Sequence, residues 1–292
     1  MQLIERRINQ TGGLEVVMTD CLPAVYLDHW ALRVISSDPG FAMRLKSCIR
    51  GANGTLAVSG FNILEFIRMT DKGQAEEAEN LLESVLPSIL FLDCNPLCVI
   101  KREDEPMCAG PSRFPEVDCK LLDVFLGLKP SSIEQVFTVR GLFSAVQGAG
   151  LAGDLDHVCD TVIARVEERR SELTADPVLK RNMESSVKGP PIQRGTRYVL
   201  REVVRILLRD NQTRLTRNDA IDLFHTVVPV SYCQLVLLDK HWHHLAVEAT
   251  KRIRSAHLPF PMAECFTGKG DGVNRFLTEF EKRVSAEPTL RR

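Results

Sequence analysis

The chain has 292 residues, enough for one large domain or two small ones; 44% hydrophobic and 26% charged side chains place it among globular sequences. A net charge of −1 argues against a polyelectrolyte partner for the whole molecule and leaves a local basic patch open. With 18 glycines and 15 prolines, collagen-like and low-complexity architectures are excluded. A chain this long buries roughly three quarters of its unfolded surface and needs no disulfide or metal to hold a core. The nine cysteines are odd in number and scattered, with no CxxC, and residues 1–20 lack the apolar stretch of a secretory signal. The longest apolar run, around residues 81–100, is broken by Glu83, Pro87, Asp93 and Pro96, so it cannot span a bilayer. The expectation is a soluble, reduced, cytoplasmic protein with no membrane partner.

In chain order, residues 24–28 read as a short buried strand ending in an acid, and 29–50 as an amphipathic helix stopped by Gly51 and Gly54. A second strand over 55–58 leads to Ser59, a helix cap, and to apolar residues at helical spacing over 62–69. A Glu- and Leu-rich helix over 74–86 and a strand over 88–92 follow. Strands alternating with helices predict a three-layer α/β domain with a central, mainly parallel sheet. From 101 to 195 the pattern turns all-helical (around 116–127, 131–147 and 155–173), which predicts an insertion or cap. The alternation then resumes, with helices over 197–209 and from 218, a strand over 234–238 ending at Asp239, and a helix over 241–256. A strand near 263–266 and a last helix over 272–284 close the chain. The α/β unit is thus discontinuous, 20–100 and 196–292, around the segment 101–195.

In open α/β sheets, ligands bind beyond the carboxyl ends of the strands. Asp28 and Asp239 sit there, each directly after an apolar run. Glu65 lies in the helix after the second strand, and Asp219 and Asp222 in the first turns of the helix before the Asp239 strand. Three or four such carboxylates make a hard, oxygen-rich site suited to Mg²⁺ or Mn²⁺, ions that activate water and neutralise a phosphodiester. The competing structural reading has Asp219 and Asp222 complementing the helix dipole and Glu65 solvated. His225, three residues after Asp222, can contact a scissile phosphate or pack as a structural side chain. Asn62, three before Glu65, is open to the same two readings.

Three motifs carry a likeness to a known family: Val25-Tyr-Leu-Asp28; Ser59-Gly-Phe-Asn62-Ile-Leu-Glu65; and Arg217-Asn-Asp-Ala-Ile-Asp222-Leu-Phe-His225 continuing to Tyr232-Cys-Gln-Leu-Val-Leu-Leu-Asp239. Together they resemble the PIN-like metal-dependent nucleases, over roughly residues 20–100 and 197–290. The resemblance implies that Asp28, Glu65, Asp239 and Asp222 (or Asp219 in a shifted alignment) hold one or two Mg²⁺ or Mn²⁺ ions, and that a metal-bound water cleaves RNA. Bacterial proteins similar to this are commonly growth-arresting toxins or defence effectors, which implies a cognate inhibitor or activator protein and a homo-oligomer. Relatives often have Asp where this chain has Gln234, so Gln234 marks the rival reading, a silent scaffold that binds RNA without cutting it.

Between Lys180 and Arg217 ten Lys/Arg stand against three acids. Arg197, Arg201, Arg205 and Arg209 recur every four residues and so predict one stripe along a helix, suited to gripping RNA phosphates or to pairing with acids of the insertion such as Glu167, Glu168 and Glu172. Gly148-Ala-Gly150-Leu-Ala-Gly153 matches a dinucleotide fingerprint in letters only; without a strand before it, a helix–helix connection is the better expectation, and a nucleotide-binding enzyme the outsider. Trp30 and Trp242, close behind the two strand-ending acids, are expected in the core or at the walls of the site.

Overall fold

Five short apolar runs form one parallel sheet, because each is too short for a helix and is bounded by a polar residue that starts the next helix. The structure, a computed structural model, describes residues 4–8, 14–18, 23–51, 54–105, 114–122, 151–185, 195–209, 214–258 and 260–286. An antiparallel pair, β1 (Ile4–Ile8) and β2 (Leu14–Met18), stands apart from the main sheet. The main sheet comprises β3 (Ala24–Leu27), β4 (Thr55–Ser59), β5 (Ile89–Leu92), β6 (Leu235–Leu238) and β7 (Glu264–Thr267). Its spatial order is β5-β4-β3-β6-β7, parallel throughout, with Val25 opposite both Leu56 and Leu235.

The helices are α1 (His29–Ser37), α2 (Pro39–Lys46), α3 (Gly60–Arg68), α4 (Lys72–Val85), α5 (Pro96–Asp104), α6 (Leu151–Ala175), α7 (Pro177–Glu184), α8 (Thr196–Arg209), α9 (Arg217–Tyr232), α10 (Lys240–Ser255) and α11 (Gly272–Ala286). Alternate strand residues face opposite cores. Val25 and Leu27 of β3 pack with Leu32 and Ile35 of α1 and with Phe276 and Phe280 of α11. Tyr26, between them, faces Val199 of α8, Val227 of α9 and Ala246 of α10. Helices therefore cover both faces of the sheet, an arrangement consistent with three α/β/α layers. Each fully buried Leu, Ile or Phe contributes roughly 1.5–3 kcal/mol through removal from water.

Three details depart from the sequence expectation. The helix expected over 29–50 breaks at Asp38, because Pro39 has no N–H to continue the ladder; the Asp38 carboxylate instead caps α2, accepting from Gly40 N at 2.8 Å and Phe41 N at 3.0 Å. Helix α5, capped by Asn95, runs across the expected domain boundary at 101. Within 101–195, an isolated antiparallel bridge joins Val117 to Leu92 at the sheet edge.

The helix expected over 155–173 lies inside α6, which buries Cys159, Val166 and Leu173; the one over 131–147 lies outside the described residues. Helix α6 includes Leu151 to Gly153 of the glycine-rich motif, while Gly148 and Gly150 are outside the described residues. Among the described residues, no helix is long and apolar enough to cross a membrane.

Candidate functional site

The strand order reverses beside β3: the chain steps outward through β4 and β5, then returns to place β6 on the other side. Connections leaving the carboxyl ends of β3 and β6 diverge in opposite directions, and the crevice between them is where open α/β sheets hold ligands. Asp28 closes β3 and Asp239 closes β6. Asp28 is buried, and its two oxygens have separate tasks. Oδ1 accepts from Ala31 N at 2.7 Å and caps α1, while Oδ2 accepts from the backbone N–H of Asp239 at 2.7 Å, across the switch point. Asp239 in turn caps α10, accepting from Trp242 N at 2.9 Å.

Two further helices bring their acids to the same edge. Ser59 and Asn62 form a capping box at the start of α3, and Asn62 Nδ2 also donates to Leu27 O at 3.3 Å, tying that helix to the end of β3. Glu65 stands one turn further along α3. Helix α9, packed on the sheet through Phe224, Val227 and Val228, supplies Asp222 and His225.

Burial and neighbouring charges act together on these groups. Burial pushes the Asp28 carboxyl up to about 7; its two backbone donors and His225 oppose the rise, and the Asp239 charge adds to it. Burial pushes Asp222 up to about 7 as well, with Asp239, Glu65 and Asp28 adding and His225 opposing. For His225, burial acts to lower the pKa, but Glu65, Asp222 and Asp28 outweigh it and the net shift is upward. His225 Nε2 meets Glu65 Oε2 at 2.8 Å, and its Nδ1 contacts the hydroxyl of Tyr26.

Of the residues read from sequence, Asp28 and Asp239 are joined through the Asp239 backbone, and Asp222 lies within electrostatic reach of Asp28, Glu65 and Asp239. Asp219 does not join them: its Oδ2 takes both the N–H and the hydroxyl of Thr216 at 2.7 Å each, completing the capping box of α9. Asn62 is buried in the α3 cap, so a phosphate contact gives way to its structural role. His225, read as a phosphate contact, is only 1% exposed and lies inside, between Tyr26 and Glu65.

The arginine stripe divides. Arg205 is 3% exposed and ion-paired to Glu202 (2.7 Å) and Glu248 (3.4 Å). Arg197 pairs with Asp104, Arg209 approaches Glu248 at 3.7 Å, and Arg201 is exposed on α8. Gln234 lies at the amino ends of the strands, where its Oε1 accepts from Ala24 N at 2.6 Å, opposite the edge that carries Asp28 and Asp239. Trp242 is buried in the core, whereas Trp30 is partly exposed and packs on Gly268, where an added Cβ would meet its ring at 1.9 Å.

Sequence reasoning missed His29 and Tyr26. His29 Nδ1 is buried without a hydrogen-bond partner, 4.0 Å from Glu65 Oε2, and its ring packs on Phe66. Its signal was the Asp28-His29 step itself, an imidazole placed on the first turn beside the strand-ending acid. Another strand-end acid, Asp93 after β5, is paired with Arg102 at 2.5 Å and so differs from Asp28 and Asp239 in having its own cation.

Whether the site suits a divalent cation can be judged from its donors. Burial, with neighbouring carboxylates adding to it, pushes two of the four acids up to about 7, and an orphaned imidazole nitrogen borders them; in chemistry and charge such donors are of the hard, oxygen-rich kind that suits Mg²⁺ or Mn²⁺. Among the described residues, however, no three His, Cys, Asp or Glu stand together at the spacing of a formed metal centre.

A pH dependence follows. A carboxyl raised from 3.8 to about 7 holds its proton more tightly folded than unfolded, so the stability it gives is complete below the ordinary value and lost as pH rises to about 7. His225, also raised, has the same sign. In EDTA the melting temperature is expected to be several degrees higher at about pH 5.5 than at about pH 8, and Mn²⁺ in place of EDTA is expected to recover the loss at the higher pH. Circular dichroism melts check this, and an equal or higher Tm at about pH 8 in EDTA contradicts it. No family model, curated protein or solved structure matches this chain.

Proposed function

We propose that the chain is a metal-dependent endoribonuclease of the PIN-like type, with Asp28, Glu65, Asp222 and Asp239 holding Mg²⁺ or Mn²⁺. The observation that carries this reading is the bond of Asp28 Oδ2 across the switch point to Asp239 N, with Asp222 within electrostatic reach of Asp28, Glu65 and Asp239. Structural caps account for Asp28 and Asp239 singly; they do not account for Asp222, whose half-buried charge is opposed by three neighbouring acids. When bound, such an ion activates water and neutralises charge on a phosphodiester. The chain's own part is orientation: two backbone donors fix Asp28, and the amino ends of α1, α3 and α10 open toward the same edge, favourable to a phosphate.

Arg197, Arg201 and Arg209 lie exposed on α8, where they would meet RNA; Arg205 is excluded from that role by its burial. Gln234, at the far end of the strands, lends no support to a silent RNA-binding scaffold. A toxin or defence role, with a cognate inhibitor or activator and a homo-oligomeric assembly, belongs to this proposal through the resemblance alone. The test is incubation of a structured RNA pool with Mn²⁺, Mg²⁺ or EDTA. Cutting in a metal and not in EDTA supports the reading; folded protein that cuts in none of the three, or equally in EDTA, overturns it.

A further inference from the structure

Beside the acids lies a buried polar chain that the cation site does not itself require. Tyr26 points from β3 into a core otherwise built from Val227, Val236, Leu238 and their neighbours. Its hydroxyl meets His225 Nδ1, Ser59 Oγ at 3.0 Å and Cys94 Sγ at 3.7 Å. His225, 1% exposed, continues the chain through Nε2 to Glu65 Oε2 at 2.8 Å, and Glu65 is the first member with access to solvent, at 26%. A tyrosine and a histidine buried in an apolar layer carry a desolvation cost that apolar residues of the same volume avoid. Matched hydrogen bonds offset that cost and fix one arrangement of the network.

We infer that Tyr26 and His225 are positioning residues that lock Glu65 in the orientation the cation site needs, an assignment that rests on the metal reading above. An ionised carboxylate only accepts, so Nε2 carries the proton shared with Glu65 while Tyr26 engages Nδ1 and fixes the ring. With Oε2 held from inside, Oε1 is the oxygen Glu65 can turn toward an ion. Ser59 joins the network to the α3 cap through Asn62, donating to its Oδ1 at 3.1 Å, so the helix start and the Glu65 side chain are set by one set of contacts. His225 thus acts through Glu65 and touches no substrate.

The two amide replacements of His225 separate positioning from packing. In His225→Gln the amide nitrogen reaches the place of Nε2 and can still donate to Glu65; in His225→Asn the amide reaches only the place of Nδ1 and loses Glu65. Mn²⁺ binding, read from the free-ion EPR signal, is expected to weaken about 10- to 100-fold in His225→Asn and by less than about threefold in His225→Gln. Tyr26→Phe, which frees the ring without removing the donor, is expected to fall between them. Thermal melts on the same samples separate this from stability. Wild-type Mn²⁺ affinity in a folded His225→Asn overturns the assignment alone, as does equal weakening in both amides that merely follows their Tm. If the wild type binds no Mn²⁺, the metal reading falls and this assignment falls with it.

Discussion

Asp222→Asn is expected to make the metal-free protein more stable at about pH 8 while abolishing RNA cleavage. Asp222 carries its charge in a half-buried place, opposed by Asp239, Glu65 and Asp28, with only His225 in its favour. Replacing the carboxylate by a neutral amide of nearly the same size removes the cost of burying the charge, and the repulsion with it, at little change in side-chain volume. The gain should be roughly 1–3 kcal/mol, seen as a rise of several degrees in Tm in EDTA. Loss of an acid that holds the ion should lower cleavage by about 10³-fold or more. Opposite movement of stability and activity is the mark of a residue kept for function against the interest of the fold. A variant that is both less stable and fully active would assign Asp222 a structural role.

Arg205→Ala has the largest expected effect on stability. Arg205 and Glu202 are 3% and 1% exposed, and Glu202 Oε2 takes Arg205 Nε at 2.7 Å and Arg252 Nε at 2.8 Å. Removing the guanidinium leaves a buried carboxylate with one partly exposed partner, plus a cavity between α8 and α10. The expected cost is about 3–5 kcal/mol in urea denaturation. Glu202→Leu with Arg205→Met, which removes both charges and fills the volume, should lose far less. RNA binding by Arg205→Ala, measured below its transition, should match wild type, since the side chain does not reach solvent. A stable Arg205→Ala protein with weakened RNA binding would restore Arg205 to an RNA-gripping stripe.

The arginines show where the sequence stops being informative. A four-residue recurrence says that four side chains share a face, and it does not say what that face meets. Here Glu248, 43 residues away on α10, and Glu202, three residues back on the same helix, draw Arg205 inward. The strands were legible because short apolar runs bounded by Asp, Ser and Gly allow little else, and the strand-ending acids followed from them. The break at Asp38-Pro39 and the Asn95-Pro96 start of α5 were also present as turn and cap signals, concealed by apolar runs that continue through them. The β1–β2 pair had its own sign, two short runs flanking Gly12-Gly13. His225 was legible as a site residue and illegible as to direction, because its partner Tyr26 is 199 residues away and no spacing rule connects a helix of one half to a strand of the other.

Sheet polarity supplies the most direct test of the central claim that the acids at the carboxyl edge form one catalytic metal site. Asp28 and Gln234 both join β3 to β6, at opposite ends of the same strand pair. Cleavage of structured RNA in Mn²⁺ by Asp28→Asn and Gln234→Ala, prepared identically and checked for folding, compares one end with the other. The prediction is that Asp28→Asn cuts at least about 10³-fold more slowly than wild type while Gln234→Ala stays within a few-fold. Cutting that survives in Asp28→Asn, or is lost only in Gln234→Ala, would contradict it.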